Sequence, residues 1–405
     1  MRVAFVIERY WPLFSAASCV LDTVARFLRQ QGHEVTVLTA QVDHLWPEEI
    51  SVRDVPVRRF GLDSWSMFGR KSLGQRIAQW LERNPEQWDL MVVCELLDGG
   101  QYLFQVADQL RRPNLLSFFE SGKLSPLGQL LDTSEKEKRE GTSARSGSPP
   151  RRSNWLTRKH WTVPDTEAVL GVRQRNPEAN VAAWGLGTPN SNVLTIEERR
   201  SVRAAICQSR AGFERYCAHP LIVYHGHCLP GPDSQWLWQL LAGLCEQRPG
   251  VCAWVTGDGA AIHGLWRQTN ESGLEDRLIF PGIFSDLHDL YSAADMIVHP
   301  QSERRHDFEW LAGVAVGTPS LVVQSPGTDR VMQLVNGKPK EDTIWNQVLP
   351  RQLEQWWERA FQILDQPQSA SSQVLQQRSE LLLHYNENDT LQQYEQLLLQ
   401  LKEEI

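Results

Sequence analysis

The chain has 405 residues, a length that predicts two domains of about 150–200 residues each rather than one core. Hydrophobic residues make up 41% and charged residues 22%, as in a soluble globular protein, and a formal net charge of −8 excludes a non-specific nucleic-acid binder, which needs a basic surface. The first apolar run, Val3 to Ile7, is cut by Glu8 and Arg9, and no stretch approaches the roughly 20 apolar residues of a spanning helix, so the expected location is cytoplasmic.

The first half alternates strand and helix. Residues 2–7 form a short β-rich run. A helix follows from Ala17, with Val20, Leu21, Val24, Ala25 and Leu28 at helical spacing and Gly32 past its end. Next come a strand over 34–39, a weaker one over 55–60, a helix over 73–81 and a strand over 89–94. A helix over 101–110 leads to a strand over 114–119. Such repeated units imply right-handed crossovers and a parallel sheet covered on both faces. Residues 133–153 break the pattern: polar, rich in Ser, Gly and Pro, they read as a flexible insertion. Order resumes at 167–172 and 181–184, and a Gly-Leu-Gly-Thr-Pro turn at 185–189 closes the first domain, taken as 1–194. A helix over 195–215 is expected within a linker, 195–219.

The second domain, 220–375, opens with a buried strand over 221–224. A later strand ends in Gly257-Asp258-Gly259 and a helix follows. After Gly273-Leu274 a strand over 277–280 stops at Pro281-Gly282. A helix through Leu287, Leu290 and Tyr291 reaches Ala293-Ala294-Asp295, and a short apolar strand ends at Pro300. A helical tail, 376–405, carries Leu391, Tyr394, Leu398 and Leu401 as one stripe, with Asp389 and Gln392 spaced as a capping box. The seven scattered cysteines include no CxxC pair and predict reduced thiols. Sixteen tryptophans fit either buried aromatic contacts or carbohydrate stacking, which composition does not separate.

The order of parts over 251–300, the opening 40 residues and the Gly317-Thr318-Pro319 turn resemble the group 1 (family 4) glycosyltransferases. That resemblance implies an α/β protein of the GT-B fold: two Rossmann-like, doubly wound parallel-sheet domains facing a cleft. The first presents the acceptor, the second binds a nucleotide-sugar, and a helical tail ends the chain. It covers about a third of the chain well. It implies a hexosyltransferase-type enzyme of glycan or polysaccharide biosynthesis that retains anomeric configuration and needs no metal or other cofactor. The acceptor is then a hydroxyl, on a glycan or a lipid-linked sugar. Pro281, Gly282 and Ile283 would offer backbone groups to the base, and Gly226, His227 and Gly257 are expected on the donor-binding side, where Gly257 fits a tight strand-to-helix turn.

The pattern departs from the family at the reactive positions. Two glutamates eight apart are expected before the Ala-x-Gly-x-Pro ending, here Ala315 to Pro319, which places them at 304 and 312. The chain has Arg304 and Ala312 there. Glu303 lies one residue away and, with Ser302, stands by the expected sugar site. Glu309 lies one helical turn before Ala312, toward the ribose. For both glutamates the alternative is an ordinary surface carboxylate. The family's diphosphate-clamping cations after the first strand of this domain are replaced by Gly226-His227-Cys228-Leu229, and Arg304 with Arg305 are the candidate substitutes. On this reading Glu303, Arg304 and Arg305 are the catalytic group.

The pair His225 and His227 invites a metal reading, but no fourth ligand stands nearby and structural histidines are expected instead. The family's paired glycines before the first helix appear as Ala16-Ala17, which crowd an approaching phosphate. The acceptor-side histidine is replaced in a stretch ending at Glu120, so Glu95 and Glu120 are acceptor-side candidates or solvated strand-end carboxylates. Residues 151–161 mix cations with tryptophans. They suit either peripheral contact with the inner face of a membrane or the edge of the insertion. Two rivals to the transferase stand: a catalytically inactive GT-B protein serving as partner or regulator in glycan assembly, and a nucleotide-sugar epimerase.

Overall fold

A computed structural model describes residues 1–13, 15–61, 72–95, 99–119, 159–164, 166–208, 220–284, 287–300, 307–324 and 348–404. The expected insertion at 133–153 lies outside them. The chain divides into two compact units, one of Met1–Trp11, Ser15–Gly185 and Thr390–Ile405, the other of Pro12–Phe14 and Leu186–Asp389.

The first unit contains β1 (Arg2–Val6), α1 (Ala16–Gln30), β2 (Glu34–Gln41), β3 (Glu49–Val52), β4 (Val55–Gly61), α2 (Leu73–Arg83), β5 (Leu90–Val93), α3 (Gln101–Gln109), β6 (Asn114–Ser117), β7 (His160–Val163), α4 (Thr166–Arg175) and β8 (Asn180–Ala183). Its sheet runs β3-β4-β2-β1-β5-β6-β7-β8, parallel except for the β3–β4 hairpin. That hairpin turns through Arg53 and Asp54 at φ 49° and 66°. Without a glycine to mark the turn, β3 was not legible as a strand. The apolar stripe of α1 is buried as its spacing requires, with Leu21, Val24, Ala25 and Leu28 fully covered. Trp161 corrects the surface reading of 151–161 at its end. It is buried in β7 and stacks on Phe118 at 6.0 Å, while 151–158 lie outside the described residues.

The second unit contains α5 (Ile196–Gln208), β9 (Leu221–His227), α6 (Pro232–Gln247), β10 (Cys252–Asp258), α7 (Ile262–Glu271), β11 (Leu278–Gly282), α8 (Leu287–Ala293), β12 (Met296–His299), α9 (Asp307–Ala315), β13 (Ser320–Val323), β14 (Val348–Leu349), α10 (Leu353–Asp365) and α11 (Pro367–His384). The sheet order is β11-β10-β9-β12-β13-β14, with every pairing parallel. The stretch read as a linker is instead part of this unit. α5 packs on α8, where the Arg203 guanidinium donates to Ala293 O at 2.7 Å and pairs with Asp295 at 2.9 Å.

The last helix, α12 (Glu387–Glu403), begins in the second unit and ends in the first. Its stripe Leu391, Tyr394, Leu398 and Leu401 is buried as expected. Tyr394 donates to Ser117 Oγ at 2.9 Å, and the Trp184 indole donates to Thr390 O at 2.7 Å. The cap differs from the expected one. Asn386 Oδ1 accepts the Asp389 N–H at 2.8 Å, so Asp389 sits at the third helical position and Asn386 is the cap.

Each sheet has one place where the strand order reverses. In the first unit the chain moves outward from β1 through β2 and β4, then returns to β5 on the other side. In the second it moves from β9 through β10 and β11, then returns to β12. Ligands of open parallel sheets settle beyond the carboxyl ends of the strands at such reversals. The residues just past β1, β5, β9, β10 and β12 are therefore the ones to inspect.

Candidate functional site

Two polar groups converge at the reversal point of the second sheet. The outer one joins the ends of β9 and β10, where His227 and Asp258 are register partners. The His227 imidazole is 11% exposed and the Asp258 carboxylate 15%, and Nδ1 of the ring bonds Oδ1 of the acid. A carboxylate only accepts, so Nδ1 donates. The glycines flanking Asp258 make this approach possible. Gly257, at φ +114°, would place a Cβ 2.0 Å from Gly226 O, and Gly259, at φ +125°, one 2.1 Å from Cys228 O. Gly257-Asp258 therefore closes the strand, and the turn read at these residues lies just past it.

The inner group is buried. Thr256 Oγ1 donates to Tyr224 O at 2.9 Å and bonds His225 Nδ1 at 2.7 Å. Its one proton is committed to the carbonyl, so His225 Nδ1 is the donor and the ring tautomer is set. Burial pushes the His225 pKa down to about 4, against the opposing pull of Glu309 and Asp258. The ring of Tyr291 stands edge-on between two imidazoles, 6.5 Å from His225 and 6.3 Å from His299. Glu309, in the first turn of α9, is 1% exposed and acts electrostatically on His225. That rules out the surface-carboxylate alternative for Glu309.

The remaining described donor candidates lie on α9, β11 and β9. Ala312 is buried in an apolar cluster with Leu221, Val223, Trp254 and Ile297. Pro281 is buried, Gly282 takes φ +88° in register with Thr256, and Ile283 is 37% exposed just past β11. Gly226 faces the Tyr224 ring, whose hydroxyl would lie 2.8 Å from a Cβ there. Ser302, Glu303, Arg304 and Arg305 lie outside the described residues. Among those described, no group of three or more His, Cys, Asp or Glu side chains is arranged to hold a metal ion.

In the first unit the Glu95 carboxylate, just past β5, accepts the Glu8 N–H just past β1, which sets Glu95 at that sheet's reversal point. α1 starts with a reciprocal cap: Ser15 Oγ accepts the Ser18 N–H at 3.0 Å and Ser18 Oγ accepts the Ser15 N–H at 2.9 Å. Ala16 and Ala17 form the first turn behind that cap, Ala17 half-buried. Glu120 lies outside the described residues. Sequence reasoning passed over Asp258, Tyr291 and His299. The available signal for Asp258 is its place between two glycines at a strand end, one strand from a histidine at the matching end.

No protein-family model matches the chain, and no curated protein matches it. Solved structures do. HepE from Anabaena, in complex with UDP and glucose, superposes with a TM-score of 0.64 at 16% identity, covering 98% of this chain and 99% of that one. Sucrose-phosphate synthase from Thermosynechococcus elongatus gives 0.68 at 17% identity, with 98% of both chains covered. WaaG, a glycosyltransferase of lipopolysaccharide biosynthesis, gives 0.58 at 15% identity, covering 93% and 94%. Among the described residues no helix is long and apolar enough to cross a membrane. With two parallel α/β units and neighbours matched along nearly the whole chain, the protein has the GT-B fold.

Proposed function

We propose that the protein transfers a sugar from a nucleotide-sugar to a hydroxyl acceptor, with the donor bound at the carboxyl ends of β9–β12. The observation that carries this reading is the polar cluster of His227, Asp258, His225 and Glu309 at the sheet reversal of a chain sharing its fold with HepE, itself crystallised with UDP and with UDP-glucose. Anomeric configuration is retained on this reading, and no metal is called for. Arg304 and Arg305 stabilise charge on the departing diphosphate, and Glu303 holds the sugar hydroxyls. Glu309 is buried and acts on His225 electrostatically, so on this reading it is not the residue that holds the ribose. Glu95 is the acceptor-side carboxylate.

A second reading, a non-catalytic GT-B partner in glycan assembly, is favoured by one observation. Ala312 is packed into an apolar cluster and Glu309 is turned inward, so neither described position offers an exposed carboxylate to a ribose. Calorimetric titration with UDP- and GDP-sugars separates the two. Binding that Arg304→Ala and Arg305→Ala each weaken supports the transferase. Absence of binding to every nucleotide-sugar supports the partner reading.

A further inference from the structure

The tryptophans divide by burial. Among the described ones, Trp11 and Trp266 are exposed, at 40% and 47%, and the rest are buried or half-buried. Trp266, on α7, stacks on His263 at 5.8 Å, whereas no other described ring lies against Trp11. Trp11 stands in the segment that follows β1, and buried side chains pin that segment from several directions. Glu8 O accepts from Thr39 Oγ1 at 3.0 Å and from the Ala40 N–H at 3.2 Å, while Glu95 holds the Glu8 N–H. The buried Tyr10 hydroxyl donates to Asp22 at 2.8 Å, and Asp22 also accepts from Arg26 and from Arg53 in the β3–β4 turn. Arg59, on β4 and 3% exposed, donates to Trp11 O and to Pro47 O, each at 2.9 Å, with its guanidinium 5.5 Å over the Trp46 ring. No described acid pairs with Arg59, and burial lowers its pKa. Burying a guanidinium without a counter-charge is costly, so its place is explained by what it holds: the backbone of an exposed tryptophan.

We infer that the acceptor hydroxyl belongs to a sugar ring, that Trp11 is the platform on which this ring stacks, and that Arg59 is the positioning residue that fixes the platform. The inference rests on the transferase reading above and narrows its acceptor to a saccharide. One face of a pyranose is a flat patch of C–H bonds, and an indole presents a flat, electron-rich face that attracts such bonds. A platform fixed in advance loses little freedom when the sugar arrives, which is what the pinned segment provides. A tryptophan that enters a lipid surface gains nothing from a fixed orientation. The neighbouring Glu8 and Arg9 are exposed and charged, which suits hydroxyl groups and opposes burial in hydrocarbon.

The test titrates the full-length protein with the methyl glycosides of glucose, galactose, mannose and N-acetylglucosamine. Trp11→Ala is expected to weaken binding at least about fivefold, and Trp11→Phe, which keeps a ring, to recover most of the loss. Arg59→Lys is expected to weaken binding about threefold, and to add nothing in the Trp11→Ala background. A loss that persists in that background would make Arg59 a general support and overturn its positioning role. Indole N–H resonances give an answer independent of variant folding. The Trp11 signal, identified by its absence from Trp11→Phe, should shift as the glycoside saturates, and an unmoved signal overturns the platform. If none of the glycosides binds, or if Trp11→Ala matches the unaltered protein within about twofold, the inference falls. It falls equally if Trp11→Ala spares glycoside binding and abolishes sedimentation with vesicles of phosphatidylcholine and phosphatidylglycerol, since Trp11 then faces lipid. UDP- and GDP-sugar binding, measured on the same samples, separates the two readings. Where a nucleotide-sugar binds and Trp11 has no effect on glycosides, the acceptor inference fails alone. Where no nucleotide-sugar binds, the transferase reading fails and the acceptor role of Trp11 goes with it.

Discussion

Acidification should expose the cost of His225. The ring is fully covered, its Nδ1–H is bound to Thr256, and burial holds its pKa at about 4 against an ordinary 6.5. Between those values the unfolded chain binds a proton at this residue that the folded chain refuses. Stability from this site is therefore complete above the unfolded pKa and is lost as pH falls toward the folded one. Integrating over that window gives a loss of about 2.5 kcal/mol between about pH 7.5 and about pH 4.5. His225→Asn keeps a donor near the Nδ1 position and removes the titration. Other titrating groups contribute equally to both proteins, so the difference between their urea-derived stabilities, followed across that range, isolates His225. The unaltered protein should lose about 2.5 kcal/mol more than His225→Asn. Parallel lines across the whole range would refute the claim that this imidazole is buried uncharged.

Two further changes probe the frame around the site. Asp295 Oδ2 accepts the Leu221 N–H at 2.7 Å and pairs with Arg203, tying the start of β9 to the start of β12. Asp295→Ala should cost about 1–3 kcal/mol, read from the urea midpoint, and an unchanged midpoint would mean the bond contributes nothing. Gly259→Ala adds a Cβ 2.1 Å from Cys228 O at a φ of +125°. Thermal denaturation should show a lowered melting temperature, since backbone strain of this kind costs roughly 1–3 kcal/mol before any clash is counted. A melting temperature equal to that of the unaltered protein would show that the β9–β10 junction is looser than described.

The architecture was legible because period and punctuation agreed along the chain. α1, β2, β4 and the stripe of α12 fall within a residue or two of the positions their apolar spacing indicates, while β9 runs three residues past its expected end. Misreadings came where a local signal was weak or ambiguous. The β3–β4 hairpin turns on Arg53 and Asp54 at positive φ, with no glycine beside them to mark a two-residue turn. The helix expected in a linker has a polar surface, and nothing in its sequence says that Arg203 reaches Ala293 O. Asp389 and Asn386, three residues apart at the start of α12, are both good capping residues, and only geometry chooses between them.

The candidate site was harder to read, for a reason the same geometry supplies. The phrases that carried the resemblance are ones the fold itself uses. Asp295 of Ala-Ala-Asp accepts the Leu221 N–H at the amino end of the sheet, opposite the strand ends where open parallel sheets take ligands. Thr318 of Gly-Thr-Pro is buried and donates to Tyr291 O at 2.8 Å, and Gly317 turns at φ +74°. These residues keep β9, β12 and α8 in place whatever the carboxyl ends of the strands bind. Their presence therefore predicts architecture strongly and chemistry weakly. The pairings that bear on chemistry join residues 31 positions apart, His227 with Asp258 and His225 with Thr256, through the register of β9 against β10. No local spacing rule links such residues. They become neighbours only once the strand pairing is known, so a reading that recovers the sheet order and then compares strand ends would have found Asp258, whereas a search for motifs passes over it.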